Sequence, residues 1–307
     1  MPEHLLEIAG QTIGAQSHNE QATGTPIVLI HGITASIDMW RHCLPAEIRD
    51  GRYWISLSLP GHAPSRLPQN FVADDVTTEM FDRVHLGAIR QLVGDRPVHL
   101  VGWSTGGFAV LNLAARHPES AASVMSIAGF AYASHKGVIS RMQRLVQKGR
   151  TGRRAFRFIW SFLGQQRWAL DLALRGGAAN RREYRQSPIT RATLDGWQVA
   201  LQNHDLERLA TLFERLGDLD LRSLLSKIIV PTLIVGGERD PYVPLRHTQE
   251  LAGSIRDAEL VVWPGVGHMF FSECTTEFQT LLSNWIAYHD SFRTSPNANR
   301  PAGALHA

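Results

Sequence analysis

Pro97-Val98-His99-Leu100-Val101-Gly102-Trp103-Ser104-Thr105-Gly106-Gly107-Phe108-Ala109-Val110 decides the fold of this chain. It reads as a strand, a sharp turn and a helix, with one serine at the apex. Gly102 and Gly106 flank Ser104 in the spacing Gly-x-Ser-x-Gly. Such an elbow forces the serine into a strained backbone conformation, and only minimal side chains fit two positions to either side of it. The turn lifts the hydroxyl clear of the sheet edge, and the following helix aims its first amides at the same spot. A plain glycine-rich surface turn would carry the same five residues. It would not explain the apolar, β-rich run before them or the Ala/Leu-rich helical run from Phe108 to Arg116 after them.

Working outward, Ile27-Val28-Leu29-Ile30 is a short apolar run of the kind that forms a buried parallel strand, ending at His31-Gly32. Tyr53 to Leu57 reads as the next strand and stops at Pro60-Gly61-His62. Asp74 to Leu92 has helical spacing through Val76, Met80, Val84 and Ile89, with Asp74 or Asp75 as its N-terminal cap. Ser123 to Ile127, Thr232 to Val235 and Glu259 to Val262 read as further strands, with helices around Leu245 to Leu251 and Glu277 to His289. This alternation predicts an α/β fold: a mostly parallel, twisted sheet with helices on both faces. The helical stretch 133–227 interrupts it and is expected to form a cap over the carboxyl edge of the sheet, where open α/β folds bind ligands. The expected division is a core of 1–132 and 228–290, a cap of 133–227 and a disordered tail of 291–307.

The 307 residues, 44% of them apolar, suffice for one large core. Cys43 and Cys274, far apart in sequence, suggest two buried thiols and no disulfide framework or zinc site. The N-terminus has no basic start or apolar run of a secretion signal, and no stretch is long and apolar enough to span a bilayer, so a cytoplasmic protein without stable membrane insertion is expected. The net charge of +3 is unevenly spread: His135 to Arg191 holds 14 Lys/Arg against two acids, Asp171 and Glu183. That asymmetry bears on partners.

A serine hydroxyl needs a base within hydrogen-bonding reach to act as a nucleophile. Of 14 histidines, His268 stands in the flexible loop Gly265-Val266-Gly267-His268, just past a strand and at the sheet edge that carries Ser104. His31 and His62 belong to strand-end turns and read as structural, His99 lies inside the elbow strand, and His117 precedes Pro118 at a helix end. The imidazole in turn needs an acceptor on its second nitrogen. Asp240 supplies one from the loop after Thr232–Val235, whereas Glu238 lies too close to the strand end. The loop after the preceding strand, Ala128-Gly129-Phe130-Ala131, has no carboxylate. Oxyanion donors, worth ~3 kcal/mol each, are available in the amides of Thr105 and Ile33. Gly32 permits the close backbone approach that Ile33 requires.

Together, His31-Gly32-Ile33, Pro60-Gly61-His62-Ala63-Pro64-Ser65, Gly102 to Gly107, Gly237 to Pro244 and Gly267-His268 resemble the α/β-hydrolase superfamily, in its serine-nucleophile, esterase/lipase-like branch. The resemblance spans about Ile27 to His289 outside the cap. It implies Ser104 as nucleophile, Asp240 as acid and His268 as base, in the chain order serine, acid, histidine, with Ile33 and Thr105 lining the oxyanion hole. Ser58 and Ala63 stand where members often have Asp and a second Gly, both structural positions. A serine at 104 excludes the dehalogenases and epoxide hydrolases of this fold, which need a carboxylate nucleophile. Esterases, lactonases, thioesterases, carbon–carbon bond hydrolases, cofactor-free haloperoxidases and acyltransferases remain open.

The basic window is also rich in Phe156, Phe158, Ile159, Trp160, Phe162, Leu163 and Trp168. An amphipathic cap with a solvated arginine face accounts for this. Two alternatives are docking of an acidic acyl carrier protein or of coenzyme A, and transient attachment to an anionic membrane. A faint likeness to 3-hydroxyacyl transferases and thioesterases of bacterial lipid and polyester biosynthesis, carried by Glu183-Tyr184 and by His204 to Arg208, supports the carrier reading. Those proteins have Asn for His31 and Trp-Gly-Gly after the nucleophile, which this chain lacks. The leading expectation is hydrolysis of a small-molecule carboxylic ester through an acyl-enzyme on Ser104. The second is acyl transfer or thioester cleavage on a carrier-bound chain, and the third is a non-catalytic receptor, against which the intact Ser, Asp and His speak. No cofactor, no metal and no nucleic-acid partner is expected.

Overall fold

The computed structural model describes residues 3–132 and 137–294. Among them are eight strands: β1 (Glu3–Ile8), β2 (Gln11–His18), β3 (Ile27–Ile30), β4 (Trp54–Leu57), β5 (Val98–Trp103), β6 (Ala121–Ile127), β7 (Thr232–Gly237) and β8 (Glu259–Trp263). They form one sheet in the order β1-β2-β4-β3-β5-β6-β7-β8. All pairings from β4 to β8 are parallel, while β1–β2 and β2–β4 are antiparallel. Every residue of β3, β4, β5 and β7 is buried, as expected of strands covered on both faces.

Two short helices, α1 (Met39–Cys43) and α2 (Ala46–Gly51), connect β3 to β4. The helix α3 spans Thr78–Val93 and α4 spans Thr105–Arg116. Phe108 of α4 meets Phe81 of α3 edge-on at 5.9 Å and stacks on Phe130 at 5.3 Å. Burying a ring of this size contributes about 1.5–3 kcal/mol, which seats α4 firmly against the sheet behind Ser104.

Among the described residues, six α-helices, α5 (Gly137–Val146), α6 (Arg150–Gln165), α7 (Arg167–Arg175), α8 (Arg181–Gln186), α9 (Pro188–Asn203) and α10 (Leu206–Arg215), are inserted between β6 and β7. Sequence sets their boundaries: Asn180 and Asp205 cap α8 and α10 through side-chain oxygens, and Pro188 opens α9. Phe156 and Trp160 of α6 pack on Phe213 of α10 at 5.0 and 6.1 Å. Arg153 adds ion pairs to Glu207 and Glu214, each at 2.7 Å. The insertion rests on the core where Nδ1 of His204 accepts the amide of Ala63 at 3.0 Å and Arg208 donates to the carbonyl of Phe71 at 2.8 Å. The chain closes with α11 (Leu245–Gly253), α12 (Phe270–Glu273) and α13 (Thr275–Thr294).

One element is new and two expectations change. The hairpin β1–β2 is absent from the sequence reading because β1 is an edge strand with a mostly exposed pattern, and its two-residue turn is Ala9-Gly10 in place of an Asn-Gly signal. Both turn residues have positive φ, 52° and 78°, as a tight hairpin of this kind demands. The helix expected from Asp74 begins at Thr78, capped by Thr77, whose hydroxyl accepts the Met80 amide at 3.0 Å. Asp74 and Asp75 form a separate 3-10 turn, in which Asp75 accepts the Val72 amide at 2.8 Å. Finally, α13 runs to Thr294, so residues 291–294 of the expected tail are helical; the rest of that tail, and 133–136 at the start of the expected cap, lie outside the described residues.

Candidate active site

Four loops converge at the carboxyl ends of β3, β5, β7 and β8. Ser104 follows β5 directly, at φ 55° and ψ −116°. A non-glycine residue in this region costs roughly 1–3 kcal/mol, and the surroundings enforce it. A β-carbon at position 102 would lie 2.1 Å from the Gly106 carbonyl oxygen, and one at 106 would lie 2.0 Å from that of Ile30. The glycine spacing is therefore a packing requirement on both sides of the serine. A β-carbon on Gly32 would stand 3.0 Å from Cβ of Ser104, which places His31-Gly32-Ile33 directly beside the serine.

The imidazole of His268 and the carboxylate of Asp240 meet. Nδ1 of His268 lies 2.6 Å from Oδ2 of Asp240, with side chains 6% and 1% exposed. The other oxygen of Asp240 accepts the amides of Tyr242 and Val243 at 2.8 and 2.9 Å. Trp103 and Tyr242 flank the imidazole with ring centroids at 5.2 and 5.1 Å. Burial, then the neighbouring Asp240, pushes the Tyr242 phenol up to about 12, so it stays a neutral hydroxyl. Among the described residues, the amides of Ile33 and Thr105 donate to no carbonyl in these turns, although those of Thr34, Ala35 and Phe108 beside them do hydrogen-bond.

The other candidates have separate duties. Glu238 accepts the Gly265 amide at 2.8 Å and ties the β7 and β8 loops together. His31 is fully buried; its Nε2 accepts the Leu59 amide at 3.2 Å and its Nδ1 donates to the Gly32 carbonyl at 2.8 Å. His62 accepts the Thr34 amide at 2.8 Å. These two rings therefore hold the loop that carries Ile33. Desolvation depresses them to about 3 and about 4, and His204, edge-on to His62 at 5.1 Å, well below the ordinary value. His99 bonds Ser123 and Asp290 at the far side of the core, and His117 pairs with Asp82 at 3.1 Å.

A cavity of about 90 Å³ joins these parts. Ser104, His268, Ile33 and Thr105 line its floor, while Ile159, Leu163, Leu170, Leu174 and Trp197 of the insertion form its roof. Its walls are almost wholly apolar, and among the described residues no Asp, Glu, Lys or Arg lines it. Among those residues, too, no group of three His, Cys, Asp or Glu could hold a metal ion, and no helix is long and apolar enough to cross a membrane. Cys43 and Cys274 are free, buried thiols, pushed up by desolvation.

One residue of consequence escaped the sequence reading. The carboxylate of Glu273 accepts amides from two separate segments: Ala179 and Asn180 of the insertion at 2.8 and 2.7 Å, and Gly267 and Met269 on either side of His268 at 3.1 and 3.2 Å. The His268 amide itself donates to the carbonyl of Gly177 at 2.8 Å. Burial pushes the Glu273 carboxyl up, against the pull of the four amides. The loop with the imidazole is thus clasped to the insertion. The available signal was a lone acid in the apolar run Met269-Phe270-Phe271-Ser272-Glu273-Cys274.

Comparison with known proteins agrees with this architecture. The chain is 23% identical over 279 residues to the monoacylglycerol lipase abhd6-A of Xenopus laevis, covering 88% of this chain and 78% of that one. It is 27% identical over 290 residues to a proline iminopeptidase of Lactobacillus helveticus, covering 88% and 92%. The enol-lactonase from Burkholderia xenovorans LB400 superposes with a TM-score of 0.74 at 20% identity, covering 93% of this chain and all of that one. The family profile described as alpha/beta hydrolase fold matches residues 25–274, and the chain belongs to that family.

Proposed function

We propose that Ser104 is the nucleophile, His268 the general base, Asp240 its orienting acid, and the amides of Ile33 and Thr105 the oxyanion donors. The protein is an enzyme, a serine hydrolase that cleaves carboxylic ester bonds. The oxygen of Ser104 attacks the ester carbonyl as Nε2 of His268 takes its proton, and the carbonyl electrons move onto an oxyanion held by the two amides. Asp240 keeps the proton on Nδ1 and stabilises the imidazolium. Collapse expels the alcohol, which receives the proton from His268. A water deprotonated by the same ring then attacks the acyl-enzyme and releases the acid, restoring Ser104.

The observation that carries this reading is the buried 2.6 Å contact of Asp240 with His268, whose ring lines the same cavity as Ser104. The cavity further favours an uncharged acyl group of small or medium size, because its walls are apolar. A peptide with a free amino terminus would bring a positive charge to walls without a carboxylate, so esters are favoured over such peptides. We further read the inserted helices as a cap that forms the roof of the site.

Purified protein assayed against nitrophenyl esters of increasing acyl length should turn over short and medium chains. Ser104→Ala should abolish this, along with labelling by a fluorophosphonate. Undiminished turnover in Ser104→Ala would remove the serine from the reaction. Salt-sensitive preference for acyl-carrier or coenzyme A thioesters over free esters would move the function to acyl transfer or thioester cleavage.

A further inference from the structure

The helices α6 and α7 turn opposite faces to two environments. Inward, Ile159, Leu163, Leu170 and Leu174 line the cavity above Ser104. Outward, Phe158 is 73% exposed, Phe162 40%, Trp168 65% and Leu172 58%. These four are half of the large apolar side chains that stand exposed among the described residues. They also adjoin one another. Phe158 and Phe162 are one helical turn apart, as are Trp168 and Leu172, and Phe162 meets Trp168 edge-on at 6.1 Å across the α6–α7 corner. The same stripe of α6 continues back through Arg154 to Arg150, spaced four residues apart. Contiguous bulky apolar groups of this kind mark an interaction surface, whereas singly scattered ones do not.

The charges say what covers it. Arg157 and Arg167 are matched by Glu207 and Asp195 of neighbouring helices, at 3.1 and 2.7 Å. Lys148, Arg150 and Arg154 are exposed and form no ion pair among the described residues, and α6 contains no acid. The surface is therefore a cluster of Phe, Trp and Leu with unneutralised cations at one end.

We infer that the outer face of α6 and α7 docks the protein on an anionic phospholipid surface. The rings of Phe158, Phe162 and Trp168 would enter the headgroup layer, with Arg150 and Arg154 on lipid phosphates. A second copy of the chain suits the face poorly, because α6 offers no acid to pair the arginines of the other copy. An acidic carrier protein would meet protruding rings at the centre where it needs cations. Docking places the roof of the ester cavity against the bilayer, so that amphiphilic esters reach Ser104 from the lipid side. The docking itself does not depend on the ester reading.

Co-sedimentation of the full chain with vesicles tests this independently of activity. Vesicles of phosphatidylcholine with phosphatidylglycerol should retain the protein, vesicles of phosphatidylcholine alone should retain far less, and high salt should weaken the binding. The double variant Phe158→Ser/Trp168→Ser and the double variant Arg150→Glu/Arg154→Glu should each lose about tenfold or more in partitioning. Val72→Ser, at an exposed apolar site elsewhere, should lose nothing, and all three should hydrolyse a short soluble ester at the unaltered rate. Absence of vesicle binding in a protein that still turns over the soluble ester overturns the proposal, as does binding indifferent to both patch variants. A dimer that the patch variants dissociate, without vesicle binding, gives the face to a second copy and likewise overturns it. Retention by an acidic acyl carrier protein, with none by vesicles, does the same.

Discussion

Oδ2 of Asp240 lies 2.6 Å from Nδ1 of His268, while its Oδ1 is held by the amides of Tyr242 and Val243. The carboxylate is thereby fixed by its own loop before it meets the imidazole, and it serves as a rigid reference for the ring. A carboxamide in its place keeps the shape but offers Nδ1 either a donor or a weaker acceptor. Asp240→Asn should fold with a near-normal melting temperature and lose roughly 10³–10⁴-fold in kcat. Steady-state kinetics beside a thermal melt checks both halves; activity within tenfold of the parent would place the acid elsewhere.

Glu273 holds the loop of His268 through the Gly267 and Met269 amides and does not line the cavity. Glu273→Gln would turn one of its two oxygens into a donor facing amides that also donate. It should cost about 1–3 kcal/mol of stability. The imidazole loop would also loosen, so kcat should fall about tenfold or more with KM little changed. A purely structural Glu273 would lower the melting temperature and leave kcat of the folded fraction intact, so active-site titration distinguishes the two.

Gly32→Ala tests the backbone approach beside the serine. The new methyl would stand 3.0 Å from Cβ of Ser104 and 3.0–3.1 Å from the Trp103 ring, so the neighbours must yield by a few tenths of an ångström. A displacement of the Ile33 amide relative to the oxyanion should reduce kcat about 10–100-fold. Stability should change far less, by about 1–2 kcal/mol. Equal turnover by the variant would show that Ile33 donates nothing to the reaction.

Acid should act first on the seam between core and insertion. His31, His62 and His204 are neutral and buried in the fold, with the first two depressed to about 3 and about 4. Each faces another of the three: His31 lies edge-on to His62 at 5.4 Å, and His62 to His204 at 5.1 Å. The unfolded chain takes up protons at these positions near pH 6.5, where the fold does not. The stability that depends on their neutrality is therefore full above that value and declines as the pH falls toward 4 and 3, by an amount on the order of several kcal/mol. Melting temperature measured from pH 7 to 4 should drop steeply. His204→Gln, which retains an acceptor for the Ala63 amide, should flatten part of that drop.

How much was legible depended on the range of the interaction. The elbow was readable because its requirement is local: two β-carbons would collide with the Gly106 and Ile30 carbonyls, so glycine must stand at 102 and 106. The parallel strands were readable because burial on both faces leaves continuous apolar runs such as Ile27 to Ile30. The helix start at Asp74 was misplaced because three good caps, Asp74, Asp75 and Thr77, stand within four residues, and only packing of Met80 and Phe81 chooses among them. The edge hairpin left no pattern, since β1 buries one residue of six.

The chain alone singled out Ser104, His268 and Asp240 as candidates, and set the alternation of elements that sends all three to one end of the sheet. Those are demands of backbone geometry and strand burial, written within a few residues of each site. Tertiary structure alone decided that Glu273 clasps Ala179 and Asn180 to the loop of His268, and that Phe158 and Trp168 face outward while Ile159 and Leu170 line the cavity above Ser104. Neither follows from spacing, because an amide paired across some 90 residues, or the choice between two sides of an amphipathic helix, exists only once the rest of the fold supplies the partner.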